Sequence, residues 1–234
     1  MTSETLHLLC AGAAQGLVKA LQPLLAERRG ITIEGRFGAV GAMKEALLAG
    51  EPCDLMIVTD KMIGELIHAG ALKSDTRRPL GRVRTGMAVR RGEPLPDVST
   101  PEALRAALLA ADAIYFPDPE RATAGIHFAK VMHELGVHDL LQPRFCTFPN
   151  GATTMRELAA RAAPRLIGCT QVSEIFYTEG VELAGVLPPR FELATLYAAA
   201  TTTTAAEPEL ASLFLEMLAG NDSLALREAG GFEV

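Results

Sequence analysis

The strongest constraint on the fold is a regular alternation of short apolar runs with amphipathic stretches. The runs Leu6–Cys10 and Asp54–Val58 have the length and the apolar character of strands buried in a sheet. The stretch Gln15–Arg28, after the first run, has apolar residues at helical spacing, and Pro23 is expected to kink or restart that helix. This alternation predicts an α/β fold with mixed, mostly parallel sheets covered by helices.

The length of the chain, 234 residues, is sufficient for two sheets of about 110 residues each. Two extended stretches, Arg82–Arg90 and Leu193–Thr201, lie where the chain would cross between two such lobes. We therefore expect two lobes around a ligand cleft, with residues 1–81 and 192–234 in lobe one and residues 82–191 in lobe two. The strands predicted for lobe two are Ala113–Phe116, Phe145–Phe148 and Leu166–Thr170.

The composition excludes several classes of protein. The net charge of −6 opposes binding to a phosphate backbone, and 5% aromatic residues with no Trp offer little for base stacking. No apolar run approaches the roughly 18 residues that span a bilayer. A hydrophobic content of 49% is too high for a disordered chain. We expect a globular protein that neither binds nucleic acid nor inserts into a membrane.

The first residues and the cysteines bear on the compartment. The segment Met1–Leu6 has no basic region and predicts no secretory signal peptide. The chain as it stands is therefore expected in the cytoplasm, or in the periplasm if it is a mature form. The four cysteines form no Cys-x-x-Cys pair and are expected to be free thiols; they are Cys10, Cys53, Cys146 and Cys169.

Small residues follow the ends of four predicted strands and open the next helix. Small side chains let a ligand approach backbone N–H groups, and a helix start offers unpaired donors and the positive end of its dipole. Ligands of open α/β sheets bind at the carboxyl ends of strands. One such turn would indicate only a tight connection, whereas four together predict an anion site. The candidate binding residues are Gly12, Ala13, Ala14, Ala39, Val40, Gly41, Ala124, Thr153, Thr154 and Gln171.

Several ionisable residues near these turns have two readings each. Arg36 and Arg121 could hold a carboxylate bidentately or be solvated surface residues. Glu174, just after a predicted strand, could be a general base or a residue of a first helical turn. His127 and His133 lie six positions apart on one predicted helix and do not share a face, so no metal site is expected. No cofactor fingerprint occurs, and no cofactor is expected.

Several short segments, spread over nearly the whole chain, carry a resemblance to a known family. They are Leu8–Ala14, Phe37–Met43, Ala49–Leu55, Asp118–Glu120 with Ala124–Ile126, and Leu166–Thr170. In this order they resemble molybdate-type periplasmic solute-binding proteins, whose relatives include aconitate isomerases. The resemblance implies the type 2 periplasmic-binding-protein fold, in which two α/β lobes close on an oxyanion. For an exported protein it also implies an ABC transporter as partner.

The positions that would hold an oxyanion depart from the family pattern. Serines of the molybdate binders donate hydroxyls at the positions that match Ala13 and Val40, and Gln171 replaces a tyrosine. A site without these hydroxyls disfavours molybdate and tungstate. The side chains of Thr153, Thr154, Thr170 and Gln171 suit a carboxylate instead.

These departures lead to two functional hypotheses. We expect a protein that binds a small anionic solute, an oxyanion or a di- or tricarboxylate, as a solute-binding protein or sensor. The alternative is an enzyme similar to aconitate isomerase, which would move a proton along an allylic tricarboxylate. Its candidate proton carriers are Glu174, His127 and Glu120.

Overall fold

The computed structural model describes residues 5–234, without the side chains of Arg28 and Arg29. The prediction on the signal peptide rests on Met1–Leu6, and residues 1–4 of this segment lie outside the described residues. The described chain forms two compact units. The first unit holds residues 5–82 and 195–234, and the second holds residues 83–194. The ligand cleft expected between two lobes stays a prediction.

Strands and helices alternate through both units. The strands are β1 Thr5–Ala11, β2 Thr32–Gly38, β3 Leu55–Thr59, β4 Arg78–Arg90, β5 Ala113–Pro117, β6 Phe145–Phe148, β7 Leu166–Gln171, β8 Val181–Val186 and β9 Ala194–Thr201. The helices are α1 Gln15–Arg29, α2 Val40–Leu48, α3 Asp60–His68, α4 Pro101–Ala110, α5 Thr123–Glu134, α6 His138–Leu141, α7 Gly151–Ala160, α8 Val172–Tyr177, α9 Pro208–Ala219 and α10 Leu224–Ala229.

The strands form one hydrogen-bonded sheet, where we expected two. Their order is β2-β1-β3-β9-β4-β7-β5-β6, and β8 pairs with β4. The sheet is mixed, because β3 pairs antiparallel with β9 and β4 pairs antiparallel with β7 and β8. The two extended stretches that we took for crossovers belong to β4 and β9, which join the sheet as neighbouring strands.

In the first unit, parallel strands place their ends at one edge. Strand β1 pairs in parallel with β2, where Ala11 lies opposite Gly38, and with β3, where Cys10 lies opposite Ile57. Strand β3 is buried from Leu55 to Val58, as its apolar run predicts. Helix α1 continues through Pro23 without a restart, and α3 is capped by Thr59, whose hydroxyl accepts from the Met62 N–H.

In the second unit, β5 lies between two parallel neighbours. It pairs with β6, where Pro117 lies opposite Phe148, and with β7, where Tyr115 lies opposite Gly168. Helices α4 and α5 contribute buried side chains to a core against this sheet, among them Leu104, Leu108, Phe128 and Met132. Within residues 5–234, no helix has both the length and the apolar character required to cross a membrane.

Candidate functional site

The candidate residues of the first unit lie at one edge of its sheet. Gly12–Ala14 form a 3-10 turn directly after β1, and Ala39 with Val40 follows β2 and opens α2. Because Ala11 and Gly38 are paired across the two strands, the turns that follow them begin at the same position along the strand direction. All three residues of the first turn are buried, as are Ala39 and Val40. The first unit thus brings together the six residues that the sequence analysis selected there.

Alanine stands at the N-cap of three helices that follow strand ends. Ala14 precedes α1, Ala39 precedes α2 and Ala122 precedes α5, and none of the three helices has a side-chain cap. Ser, Thr, Asp or Asn is preferred at this position, and alanine there costs a helix about 1 kcal/mol. A helix start without a side-chain acceptor can be stabilised by an anion, since both its N–H groups and its dipole attract negative charge.

The candidate residues of the second unit also share one edge. Ala124 lies in the first turn of α5 after β5, Thr153 and Thr154 lie in the first turn of α7 after β6, and Gln171 ends β7. Parallel pairing of β5 with β6 and β7 brings these three strand ends together.

The start of α7 differs from the other three, because groups of the chain itself occupy it. The Asn150 side chain accepts from the Thr153 N–H at 2.9 Å, and the Glu174 carboxylate accepts from the Ala152 N–H. Glu174 also accepts from the Thr170 hydroxyl at 2.5 Å and from the Gln171 N–H. The chain therefore supplies the anion at this helix start from its own sequence.

Burial controls the ionisation of this carboxylate. Glu174 is 4% exposed, and removal from water raises its pKa from 4.5 to about 7. The hydrogen bonds from Thr170, Gln171 and Ala152 favour the charged form and oppose this rise. Close to neutral pH, the group at the start of α7 can therefore change its charge.

The two threonines of α7 use their hydroxyls inside the helix start. The Thr154 hydroxyl donates to the Asn150 carbonyl at 2.8 Å, and its side chain is fully buried. The Thr153 hydroxyl accepts from Arg156 at 3.0 Å. Both side chains stabilise the first turn of α7, which is a structural role that the sequence analysis did not consider.

Gln171 is held by the neighbouring strand. With its amide oriented to satisfy both partners, Nε2 donates to the carbonyls of Val83 and Arg84 at 3.1 and 3.2 Å. Gln171 is also 2% exposed and lies opposite Thr85 in the β4–β7 ladder. In this orientation the amide oxygen can only accept, whereas the sequence analysis assigned the amide both a donor and an acceptor role.

Two further hydroxyls in this region were not selected from the sequence. Thr85 Oγ1 and Ser173 Oγ are buried and meet no hydrogen-bond partner within the part of the chain that the structure describes. A buried polar atom without a partner costs about 1–3 kcal/mol, so these two hydroxyls are candidates for contact with a ligand or with water. The sequence carried no signal for either residue, because burial and satisfaction depend on the tertiary neighbours.

The remaining ionisable candidates have partners or are exposed. Arg36 forms an exposed ion pair with Glu51. His127, which is half-buried, donates from Nε2 to the Phe191 carbonyl at 2.7 Å, so its Nδ1 carries the lone pair of the neutral ring. Arg121 and Glu120 are exposed in the turn before α5, where both backbone N–H groups donate to Asp118.

Comparison with known proteins shows which family and which proteins the chain resembles. The model of a family described as bacterial extracellular solute-binding protein matches residues 6–233. Aconitate isomerase from a Pseudomonas species is 25% identical over 238 residues, which cover 98% of this chain and 87% of the isomerase.

Solved structures of other proteins show which fold the chain shares. The periplasmic molybdate-binding protein of Azotobacter vinelandii matches with a TM-score of 0.80 at 19% identity, over 98% of this chain and 99% of that one. The sulfate-binding protein of Mycobacterium tuberculosis H37Rv matches with a TM-score of 0.76 at 17% identity, over 98% and 86% of the two chains. These matches confirm the resemblance to molybdate-type proteins as one of fold, an α/β fold with a mixed sheet.

Proposed function

Because the chain belongs to the bacterial extracellular solute-binding protein family, we propose that it binds a small carboxylate anion, a di- or tricarboxylate. The observation that carries this proposal is the alanine N-cap of α2 in the first unit and, separately, the alanine N-cap of α5 in the second. Their first turns offer backbone donors without a competing side-chain acceptor, and a carboxylate is a suitable acceptor for them.

The choice of a carboxylate over a metal oxyanion follows from the side chains. Ala13 and Val40 carry no hydroxyl, so a tetrahedral oxyanion there would meet backbone donors alone. In the second unit, the buried hydroxyls of Thr85 and Ser173 lack protein partners in the described chain and are candidate donors to a carboxylate. The curated relative named aconitate isomerase supports a tricarboxylate as the ligand.

The family description also supports a cellular location for the protein. We infer that the protein acts outside the cytoplasm and delivers its solute to an ABC transporter. Of the two locations expected from the sequence, cytoplasm or periplasm, the family description supports the periplasm.

A screen of anions by thermal unfolding tests the proposed ligand class. Citrate, cis-aconitate, trans-aconitate, malate, sulfate, molybdate and tungstate are added to the full chain at equal concentration. A ligand at 100 times its Kd stabilises by about 2.7 kcal/mol, which raises the Tm of a chain of this size by about 5–10 °C. We expect such a rise for one or more carboxylates and little change for the metal oxyanions. An unchanged Tm with every carboxylate would refute the proposal.

The Ser173→Ala variant tests whether a buried hydroxyl contributes to the site. Loss of a hydrogen bond to a charged ligand costs about 1.5–3 kcal/mol, so the Kd for the carboxylate should rise roughly 10- to 100-fold. Ser99→Ala, which removes an exposed hydroxyl bonded to Asp97, is the matched control and should leave the Kd unchanged.

Isomerase activity is the second candidate, and the aconitate isomerase relative over 98% of the chain favours it. The reaction removes one proton from a methylene carbon, shifts the double bond and returns one proton to the other end of the allylic system. Among the three expected proton carriers, His127 fits best, because its Nδ1 lone pair is available in the neutral ring. Glu174 is buried and bound by three donors.

The activity is measured by incubation with cis- or trans-aconitate and proton NMR. Interconversion that His127→Asn abolishes, with aconitate binding retained, would establish catalysis. Binding without interconversion at high protein concentration would leave a solute-binding protein and exclude the isomerase.

A further inference from the structure

A cavity of about 360 Å³ opens at the surface of the second unit, beside the end of α4. Two strand residues line its base, Val89 of β4 and Ile167 of β7, and each is only 3% exposed. Ala107 and Ala110, in the last turns of α4, line one wall. Small-molecule sites in proteins have volumes of about 300–1,000 Å³, so this cavity has room for a ligand.

The cavity lies at the other end of β7 from the candidate binding residues. Ile167 is the second residue of this strand, and Gln171 is the last. Four residues of extended chain span about 13 Å, so a small ligand in the cavity would not reach the strand end at Gln171. The proposed carboxylate site therefore does not account for the cavity.

Three prolines form much of the remaining wall. Pro94 and Pro96 belong to the loop after β4, and Pro164 belongs to the loop before β7. A proline has no backbone N–H and a fixed φ, so these residues offer no backbone donor to a ligand and keep the shape of the wall. A cavity lined by apolar groups stays dry and accepts apolar molecules.

The two charged residues at the cavity already have ion-pair partners. Arg90 donates to the Glu93 carboxylate at 2.5 Å, and Arg165 donates to the Asp112 carboxylate at 2.7 Å. A charged ligand would lose its hydration on entry without meeting an unpaired charge of opposite sign. The lining therefore favours an uncharged ligand.

The backbone at Arg165 is fixed in an uncommon conformation. Its φ of +49° lies in the left-handed region, which residues with a side chain rarely adopt. Asp112 holds it there, because the Asp112 N–H donates to the Arg165 carbonyl at 2.9 Å while the Asp112 carboxylate accepts from the guanidinium. Backbone strain of this kind is concentrated at ligand sites. The loop that carries Pro164 is thus held in place beside the cavity.

We propose that this cavity binds a small uncharged molecule whose apolar ring or chain lies against Val89, Ile167 and Ala107. The free energy of binding comes from apolar surface removed from water, and the rigid proline walls reduce the ordering that binding requires. The site is distinct from the carboxylate site and does not rest on it.

Fluorescence titration of the full chain with N-phenyl-1-naphthylamine, an uncharged apolar probe, tests this site. We expect one saturable site. Ala107→Leu should raise the Kd about tenfold or more, because the larger side chain takes the space of the probe. Ala106→Leu makes the same change at an exposed position of α4 outside the lining, and should leave the Kd unchanged. Ala110→Leu, at the exposed rim, supplies a second variant should Ala107→Leu fail to fold.

Competition with charged analogues tests the assignment to an uncharged ligand. The compounds 1-naphthylmethanol, 1-naphthoate and 1-naphthylmethylammonium share an apolar ring system and differ in charge. The two ions should displace the probe about tenfold less well than the alcohol, because their charged groups lose hydration. Displacement by either ion as strong as that by the alcohol would overturn this assignment.

Two further measurements locate the probe and identify the occupant. Methyl NMR signals of Val89 and Ile167 should shift with the probe, and those of Leu213, which lines a separate cavity in the first unit, should not. Analytical ultracentrifugation should show a monomer. A dimer that Ala107→Leu dissociates would assign the cavity to a second copy of the chain, entered by Leu95, which is 56% exposed between two of the prolines.

That dimer would overturn the proposal. So would the absence of saturable probe binding, shifts confined to Leu213, or an unchanged Kd in both Ala107→Leu and Ala110→Leu. These readouts do not involve a carboxylate ligand, so they are independent of the proposed function.

Discussion

At the scale of single residues, Glu174 shows how tertiary neighbours change what a side chain does. Its position after β7 allowed a catalytic base or a residue of a first helical turn. The structure places it in the first turn of α8, as the second of these readings predicts, and its carboxylate accepts from the backbone N–H of the N-cap residue Gln171. It also accepts from the Thr170 hydroxyl and from the Ala152 N–H of a different helix, α7. A carboxylate at a helix start stabilises the helix through its dipole. Burial raises the pKa of this carboxyl group, so its charge changes with pH close to neutrality.

The pH dependence of stability tests this description of Glu174. Its folded-state pKa of about 7 lies above the ordinary 4.5, so the folded chain keeps the proton that the unfolded chain releases. The free energy of unfolding should therefore fall by about 3 kcal/mol as the pH rises from 4.5 to 7, and then level off. Glu174→Gln should lack this fall. Glu157→Gln, at an exposed position of the neighbouring helix α7, should follow the wild type.

Urea unfolding at a series of pH values measures the effect as the difference between wild type and variant. Taking the difference removes the contributions of all other titrating groups. Parallel curves for wild type and Glu174→Gln would show that the buried carboxylate does not titrate in this range.

At the scale of elements, close packing at the start of α7 explains why a glycine begins it. A Cβ on Gly151 would lie 1.9 Å from Glu174 Oε2 and 2.0 Å from Thr170 Oγ1. The helix start can therefore approach the carboxylate only without a side chain at this position. Gly125 of α5 has the same role against β5, since its Cβ would lie 2.2 Å from the Pro117 carbonyl.

Alanine substitutions at two helical glycines separate packing from helix propensity. Gly151→Ala should destabilise the chain, because the new methyl group displaces Glu174 and Thr170 from their hydrogen bond. We expect a loss of about 1–3 kcal/mol, the usual cost of overpacking. Gly64→Ala in α3 meets only an Arg77 nitrogen at 3.9 Å and should stabilise by about 0.5–1 kcal/mol. Equal effects at the two sites, measured in urea, would contradict this account.

At the scale of the whole molecule, the family fold is retained while the chemistry of the helix starts differs from that of the molybdate pattern. The TM-score of 0.80 to a molybdate-binding protein accompanies only 19% identity. The fold therefore does not specify the ligand, and we expect a few side chains at the strand ends to decide it.

Two substitutions should move the specificity toward tungstate. Ala13→Ser and Val40→Ser together add hydroxyl donors at the starts that follow β1 and β2. Each hydrogen bond to a charged ligand adds about 1.5–3 kcal/mol, so tungstate affinity should rise at least tenfold per serine. Ala46→Ser, a buried position in the middle of α2, is the control and should have no such effect. Submicromolar tungstate binding by the wild type in calorimetry would contradict the premise that backbone donors alone are insufficient.

The order of strands and helices could be predicted from local pattern, because burial of an apolar run and the spacing of a helical face are properties of a few neighbouring residues. Strand β6 was predicted with its observed bounds, Phe145–Phe148, and β7 differs by one residue, Gln171. Strand β8 was missed, because Val181–Val186 contains Glu182 and Gly185 and pairs through an irregular register with β4.

The candidate site, like the fold, could be predicted from the sequence only in part. Small residues after strand ends are visible in the sequence, and the parallel registers bring them to shared edges. Only the tertiary structure shows which helix start is already occupied by a side chain of the protein, as the start of α7 is by Glu174. The same holds for the joining of β4 and β9 in one sheet and for the unpartnered hydroxyls of Thr85 and Ser173 within the described chain. The physical reason is that hydrogen-bond satisfaction and the desolvation of a charge depend on groups that are distant in the sequence.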